Sequence, residues 1–82
     1  MSTLTLDQKL DLLSKRELQV AHKIMEGLPN KLIARELFIS ERTVKFHCAN
    51  IYRKLDIPNR AGLMASFFRH LYQPIAKSEN RI

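Results

Sequence analysis

The stretch SERTVKFHCANIYRKL, residues 40–55, brings cations, amides and an aromatic ring together in a short span. On a helix turning about 100° per residue, four of its apolar side chains fall on one narrow stripe that is assigned to the core. That stripe consists of Val44, Cys48, Ile51 and Leu55. The opposite face carries Arg42, Phe46, Ala49 and Arg53, flanked by Lys45 and Asn50. Cations meet phosphates or guanine, amides meet adenine and apolar groups meet the thymine methyl, so this face has the chemistry of a major-groove contact.

Some of these residues also have a purely structural interpretation. Phe46 could fold back over a neighbouring helix as partial core, since single apolar residues at a surface are common. Arg53 and Lys54 could simply complement the helix dipole. His47 flanks the aliphatic stripe, so we expect it to be half-buried and within reach of a phosphate.

Local signals place this stretch inside a series of helices. Ser14 and Glu17 form a capping box, and Gly27 ends the helix that they begin, so a first helix is predicted from about residue 15 to residue 26. Pro29 breaks the chain and Asn30 is predicted to cap a short second helix ending near residue 37.

The next signals complete the predicted series. The three residues FIS form a turn of helix-turn-helix length, and Ser40 caps a third helix over 41–55. A fourth helix is predicted from residue 60 to residue 72, ended by Pro74. No segment alternates long enough to form a strand, so the fold class is all-α.

Length and composition narrow the function further. The chain has 82 residues, 45% of them hydrophobic, with 14 Lys and Arg against 8 Asp and Glu, a net charge of +6. This predicts one soluble domain with an anionic partner. A single cysteine excludes a disulfide framework, the three histidines lack metal-ligand spacing, and no apolar run is long enough to span a membrane. We therefore expect no enzyme, no metal or other cofactor, no small-molecule ligand, no membrane partner and a cytoplasmic location.

The predicted fourth helix has more apolar surface than one core contact requires. Leu63, Phe67 and Leu71 form one stripe that is assigned to the core. A second stripe is predicted either to pair two subunits or to lie beneath the N-terminal segment. It consists of Ala61, Gly62, Ala65, Phe68 and Tyr72.

The chain resembles the LuxR/FixJ-type (GerE-like) DNA-binding domain in four segments that occur in the family's order: LSKRELQV, GLPNKLIARELFIS, TVKFHCANIYRKL and NRAGL. The resemblance implies a four-helix domain whose second and third helices form a helix-turn-helix and whose fourth pairs subunits on DNA. By position, Lys45 and Phe46 match base-facing residues of the family. Residues matching the family's phosphate contacts are Lys31, Thr43, Asn50 and Lys54.

Three positions depart from the family pattern. Ala49 stands where a basic or polar residue often reads a base, so the DNA target cannot be copied from relatives. Cys48 replaces a larger aliphatic residue and is expected in the core. Asp56 replaces the glycine that usually ends the third helix, which predicts a left-handed conformation at some cost.

Together these observations predict a bacterial transcription regulator, associated with the nucleoid, that binds double-stranded DNA as a homodimer. The base-facing set is Arg42, Lys45, Phe46 and Ala49, and the phosphate set is Lys31, Thr43, His47, Asn50, Arg53 and Lys54. The predicted division is an N-terminal extension or linker over 1–12, the LuxR-type domain over 13–73 and a flexible tail over 74–82. Two alternatives stay open: a helix-turn-helix module that binds another regulator, and a nonspecific nucleic-acid-binding protein.

Overall fold

The computed structural model describes the backbone of residues 4–80 and the side chains of residues 4–72. These residues form helices and connecting turns, with no strand among them, which confirms the all-α class. There are five described helices rather than four because the N-terminal segment adds a short one. They are α1 (Leu6–Leu10), α2 (Lys15–Met25), α3 (Asn30–Leu37), α4 (Glu41–Leu55) and α5 (Arg60–Asn80).

The predicted boundaries of α2 follow from its end residues. The Glu17 backbone N–H donates to Ser14 Oγ at 3.1 Å, and the Ser14 N–H donates to Glu17 Oε1 at 2.9 Å. This confirms the capping box, which satisfies N–H groups that a helix start leaves unpaired. Gly27 follows the helix with φ +93°, a left-handed conformation that glycine adopts without a Cβ clash.

The start of α3 differs from the prediction. Pro29, not Asn30, occupies the N-cap position, and no side chain there accepts a hydrogen bond from the helix. Proline suits this position because its fixed φ is compatible with the extended cap conformation, here φ −73° and ψ 161°. Asn30 is consequently the first helical residue, and its side chain is free for a tertiary contact.

The core forms where α2, α3 and α5 pack around α4. The aliphatic stripe predicted on α4 is buried, with Val44, Ile51 and Leu55 at 0% exposure and Cys48 at 5%. The remaining buried hydrophobic side chains come from the surrounding segments: Val20, Ala21, Ile24, Ile33, Ala34, Ile57 and Leu63. Burying one face of α4 in this way fixes which of its side chains are directed outward.

The short helix α1 packs against both α4 and α5. It begins with a second capping box, in which Thr5 accepts from the Gln8 N–H and Gln8 accepts from the Thr5 N–H. Leu10 and Leu13 are partly buried against the core. The division of the chain into an extension, a domain and a tail stays a prediction.

Two predictions for α5 are wrong. The helix does not end at Pro74 but continues to Asn80. Proline has no backbone N–H, so one helical hydrogen bond is missing there, but the turns beyond it can still form. Leu71 is 48% exposed instead of lying in the core. The core is already closed by Leu63 near the start of α5, with Met64 partly buried beside it.

Candidate nucleic-acid interface

Helices α3 and α4 are joined by the three residues Phe38, Ile39 and Ser40, the turn length predicted for a helix-turn-helix. Phe38 adopts a left-handed conformation, φ 59°, and its ring is 93% exposed, whereas Ile39 packs against the core. Ser40 begins α4 by accepting from the Thr43 N–H at 3.0 Å. The inward side chain of Ile39 and this cap together fix the angle at which α4 leaves the turn.

The side of α4 away from the core is open. The flanking Lys45 is exposed and the flanking Asn50 is partly exposed. The four side chains assigned to the face itself are all exposed: Arg42, Phe46, Ala49 and Arg53. Phe46 is 64% exposed, and its ring lies 5.9 Å from the His47 ring, so it is not part of the core. Burial of the opposite stripe places the predicted base-facing side chains on one surface.

Arg53 lies on the outer face, two helical turns beyond Phe46. Its Nη2 donates to Asn50 Oδ1 at 2.9 Å across one turn of α4. The bond restricts a long side chain that would otherwise sample many rotamers, and it leaves other guanidinium donors available. These two predicted phosphate contacts therefore form one polar unit.

Four predicted phosphate contacts follow one edge of α4. Thr43, His47, Asn50 and Lys54 are spaced by four, three and four residues, which aligns them along the helix. All four side chains are partly exposed. The sixth member of the set, Lys31, is instead exposed in the first turn of α3.

His47 is half-buried as predicted. Its Nδ1 atom is shielded from solvent and has no hydrogen-bond partner among the described residues. The side chain is partly exposed on the same edge as Thr43 and Asn50, so its contact with a phosphate stays a prediction.

Lys54 is held by a residue from another helix. Its Nζ donates to Glu17 Oε1 at 2.7 Å, although 37 residues separate the two in the chain. Among the described residues, Glu17 is the one buried charged side chain, 6% exposed, while 32% of the Lys54 side chain is exposed. Sequence reasoning assigned Glu17 only to the capping box and missed this pair, because nothing local links positions 17 and 54.

The Glu17 carboxyl remains ionised in this setting. Burial by itself raises its pKa, but the hydrogen bonds from Lys54 and Ser14 and the charge of Lys54 outweigh burial. The net effect is a pKa below the ordinary value. Glu17 thus carries a negative charge at neutral pH, which stabilises the ammonium of Lys54 beside it.

Cys48 lies under the outer face, as a core residue. Its thiol is near the Asn30 amide, with Sγ 4.0 Å from Oδ1, and burial raises the pKa of the thiol. Burial, together with the adjacent Cys48, also raises the pKa of Tyr52 to about 12. Both groups are neutral at physiological pH, so neither adds charge to the interface.

Lys31 borders an open cavity of about 460 Å³ between the starts of three helices. The cavity is lined by Gly27, Pro29, Asn30, Lys31, Glu41 and Arg60. The Arg60 guanidinium donates a hydrogen bond to the Leu28 carbonyl, and Glu41 adds a negative charge to the lining of the cavity. Lys31 is therefore the more available cation at this position.

The second stripe of α5 is exposed. Phe68 and Tyr72 are 60% and 55% exposed and meet edge to face at 5.2 Å, and Ala61 and Ala65 are exposed beside them. We call Ala61, Ala65, Phe68 and Tyr72 the α5 face. The alternative that the N-terminal segment covers this face is wrong, because α1 packs on the far side of α5, where Asp7 lies 3.5 Å from His70.

Gly62, the fifth residue predicted for the pairing surface, is partly exposed and lies to one side of the α5 face. Its position on the helix is about 100° from Ala61, toward the loop that precedes α5. A Cβ at this position would lie 2.6 Å from Ile57 Cγ2 and 3.2 Å from Pro58 Cδ. A larger residue here would force the loop or the helix to shift, because the helix approaches its own chain closely.

Within the described part of the chain, no helix has the length and hydropathy required to cross a membrane. Among the same residues, no three His, Cys, Asp or Glu side chains cluster so that they could hold a metal ion.

A helix-turn-helix with a buried inner stripe and an open basic outer face defines the class of DNA-binding regulatory domains. Residues 11–67 match the family model of bacterial regulatory proteins of the LuxR family. The match covers more than half of the chain, and the chain therefore belongs to the LuxR family.

Relatives and a solved structure agree with this assignment. The chain is 48% identical over 62 residues to the nitrate/nitrite response regulator protein homolog of Haemophilus influenzae, covering 76% of this chain and 30% of that protein. It is 41% identical over 63 residues to the nitrate/nitrite response regulator protein NarP of Escherichia coli, covering 77% and 29%. Its structure is similar to full-length FixJ from B. japonicum, with a TM-score of 0.71 and 38% identity over 78% of this chain and 32% of FixJ.

Proposed function

We propose that this chain binds double-stranded DNA at specific sequences and regulates transcription in the bacterial cytoplasm, at the nucleoid. It spans about a third of the length of the relatives it matches, so the regulatory activity is proposed for this domain within that class. The carrying observation is the outer face of α4, where cations and a 64% exposed phenylalanine project together from a helix anchored by its buried stripe.

In this proposal α4 lies in the major groove. Lys45 contacts a guanine edge or a phosphate at the groove margin, and Phe46 contacts a thymine methyl or the apolar edge of a base. Ala49 makes no hydrogen bond, and its small side chain lets the helix approach the bases closely. Arg42 and Phe46 share this face, so base reading is concentrated in the first half of α4.

Phosphate contacts come from the edge of α4 and from α3. Thr43, His47, Asn50 and Lys54 follow one strand of the backbone, with Arg53 bonded to Asn50, and Lys31 reaches a phosphate from the start of α3. Charge neutralisation by such residues supplies the sequence-independent part of the affinity. The net charge of +6 favours this mode of binding.

Pairing on DNA uses the α5 face. It exposes two rings and two alanines without a covering segment in the described chain, and small residues permit close approach of a second copy. A two-fold dimer would place two α4 helices on two half-sites, so the target is expected to be a palindrome.

The test is selection of bound sites from a pool of random duplexes, followed by salt titration on the selected and a scrambled duplex. Specific binding predicts an enriched palindromic site and a higher affinity for it than for the scrambled duplex at every salt concentration. Equal affinity for both would leave a nonspecific nucleic-acid-binding protein. No binding to either would favour the module that binds another regulator instead of DNA.

A further inference from the structure

We infer that Glu17 is a positioning residue for DNA binding, which holds the Lys54 ammonium on the phosphate-facing edge of α4. The inference rests on the proposed function and deepens it. It concerns a residue that has no contact with DNA itself and belongs to a different helix from the one that enters the groove.

The geometry makes Glu17 a fixed anchor. Its Oε1 accepts from both the Ser14 N–H at 2.9 Å and Lys54 Nζ at 2.7 Å, and the side chain is 6% exposed. The capping box already fixes this carboxylate at the start of α2. Lysine is a flexible point charge with large rotamer freedom, so an anchored partner determines where its ammonium lies.

The bond to Glu17 leaves Lys54 capable of a second contact. An ammonium has three donors, of which Glu17 takes one, and 32% of the side chain is exposed. Lys54 also continues the row of Thr43, His47 and Asn50 along α4. The residue that carries the ammonium therefore lies in the same row as the other proposed phosphate contacts.

Glu17 could instead weaken DNA binding by neutralising the charge of Lys54, which is the opposite of the positioning role. If Glu17 only screened the ammonium, removing the carboxylate charge would make Lys54 contribute more. The partial exposure of Lys54 and its unused donors favour positioning over screening. The two mechanisms differ in sign, which makes them separable by experiment.

The experiment is a double-mutant cycle on DNA affinity with Glu17→Gln, Lys54→Met and the pair. Glutamine keeps the capping box, since that motif accepts Glu or Gln, and removes only the charge. Methionine keeps the apolar stem of Lys54 without the ammonium. The cycle cancels the general effect of changing the net charge and leaves the coupling between the two residues.

In the wild-type background, we expect Lys54→Met to weaken binding to the selected duplex about fivefold, which is the scale of one oriented charge-assisted contact. In the Glu17→Gln background, the same substitution should weaken binding less than about twofold. In the wild-type background it should also reduce the slope of log affinity against log salt by about one unit. The matched control is Lys23 and Glu36, a pair of the same 2.7 Å length that joins α2 to α3 and does not involve α4. Its cycle with Lys23→Met and Glu36→Gln should show no coupling.

Binding is measured below the melting temperature of every variant, with folding checked by circular dichroism. If Lys54→Met does not fold, Lys54→Gln gives the same comparison while offering Glu17 a neutral donor. Lower melting temperatures without coupling would mean a structural role alone, and a larger Lys54 effect in the Glu17→Gln background would mean screening. Either result overturns the inference while the proposed function stands, whereas a wild-type protein that binds no duplex overturns both.

Discussion

At the scale of single residues, the outer face of α4 offers two kinds of side chain for the proposed contact with DNA. Lys45 is exposed and has no ion-pair partner among the described residues, so its charge is available. Phe46 is exposed without a covering helix. One residue can act through a hydrogen bond and charge, the other through apolar contact alone, and substitutions should distinguish them.

Replacing Lys45 by alanine should weaken binding to the selected site by about 1–3 kcal/mol if the ammonium contacts a base. The measurement is affinity for the selected duplex and for duplexes with single base changes. If Lys45 contacts a base, its removal should relax discrimination at one position of the site. An equal loss of affinity on all duplexes would identify a phosphate contact. Unchanged binding everywhere would remove Lys45 from the interface.

Replacing Phe46 by alanine should leave the free energy of unfolding nearly unchanged, because a ring that is 64% exposed contributes little to the core. Selectivity should relax at one or two base pairs, since burying the ring against DNA removes apolar area from water. Binding to duplexes with thymine or uracil at that step tests the contact, because uracil lacks the methyl group. A large loss of stability with unchanged base preference would return Phe46 to the core.

At the scale of helices, α5 has a buried side that closes the core and an exposed side for which pairing is proposed. Leu63 closes the core from one side, while the α5 face is directed away from the described chain. The close approach at Gly62 fixes how the start of α5 meets the preceding loop. Packing and pairing should therefore respond to different substitutions in the same helix.

Replacing Gly62 by alanine should lower the free energy of unfolding by about 1 kcal/mol, because overpacking against Ile57 outweighs the better helix propensity of alanine. A Cβ at this position would lie 2.6 Å from Ile57 Cγ2, so the loop or the helix has to shift. Chemical denaturation measures the effect. A gain in stability, as propensity alone predicts, would show that the loop yields easily.

Replacing Phe68 by glutamate places a charge in the α5 face and should abolish cooperative binding to a duplex with two half-sites. Binding to a single half-site and the melting temperature should change little, because Phe68 is 60% exposed. The single half-site duplex is the internal control. If the wild-type protein already binds two half-sites without cooperativity, the α5 face does not pair subunits.

At the scale of the whole molecule, the buried Glu17 links stability to pH. Its pKa is lower in the folded chain than in the unfolded chain, so the unfolded state binds a proton first as the pH falls. The stabilisation is present above the ordinary carboxyl pKa and is lost as the pH falls through the folded value. Ionisation of this group therefore favours the folded state at neutral pH.

Acid titration of stability should show this link directly. We expect the free energy of unfolding to decline as the pH drops below the ordinary carboxyl range, and the decline to be smaller in Glu17→Gln, whose side chain does not titrate. The melting temperatures of the wild-type protein and Glu17→Gln are compared from neutral pH down to about pH 2. This range extends below the unperturbed carboxyl pKa values. Identical acid profiles would mean that other carboxyl groups dominate.

Local interactions are what the sequence by itself determined. The Ser14 capping box, the left-handed Gly27 and the buried stripe of α4 each depend on neighbours a few residues apart, and all were predicted correctly. The left-handed Asp56 was also predicted correctly, but from the resemblance to the family, in which glycine usually stands at that position. The family motifs added the order of the helices. Periodicity also separated the inner and outer faces of α4, because a helix has the same repeat wherever it packs.

Only the tertiary structure decided which surfaces are covered and which distant residues meet. The pairing of Glu17 with Lys54 across 37 residues, the side of α5 that α1 covers, and the contact of Gly62 with Ile57 all depend on how helices approach one another. A helical repeat specifies directions around one axis but not the position of a second axis. The exposed ring of Phe46 was undecided for this reason, and packing resolved it by leaving no helix above the outer face of α4 in the described chain.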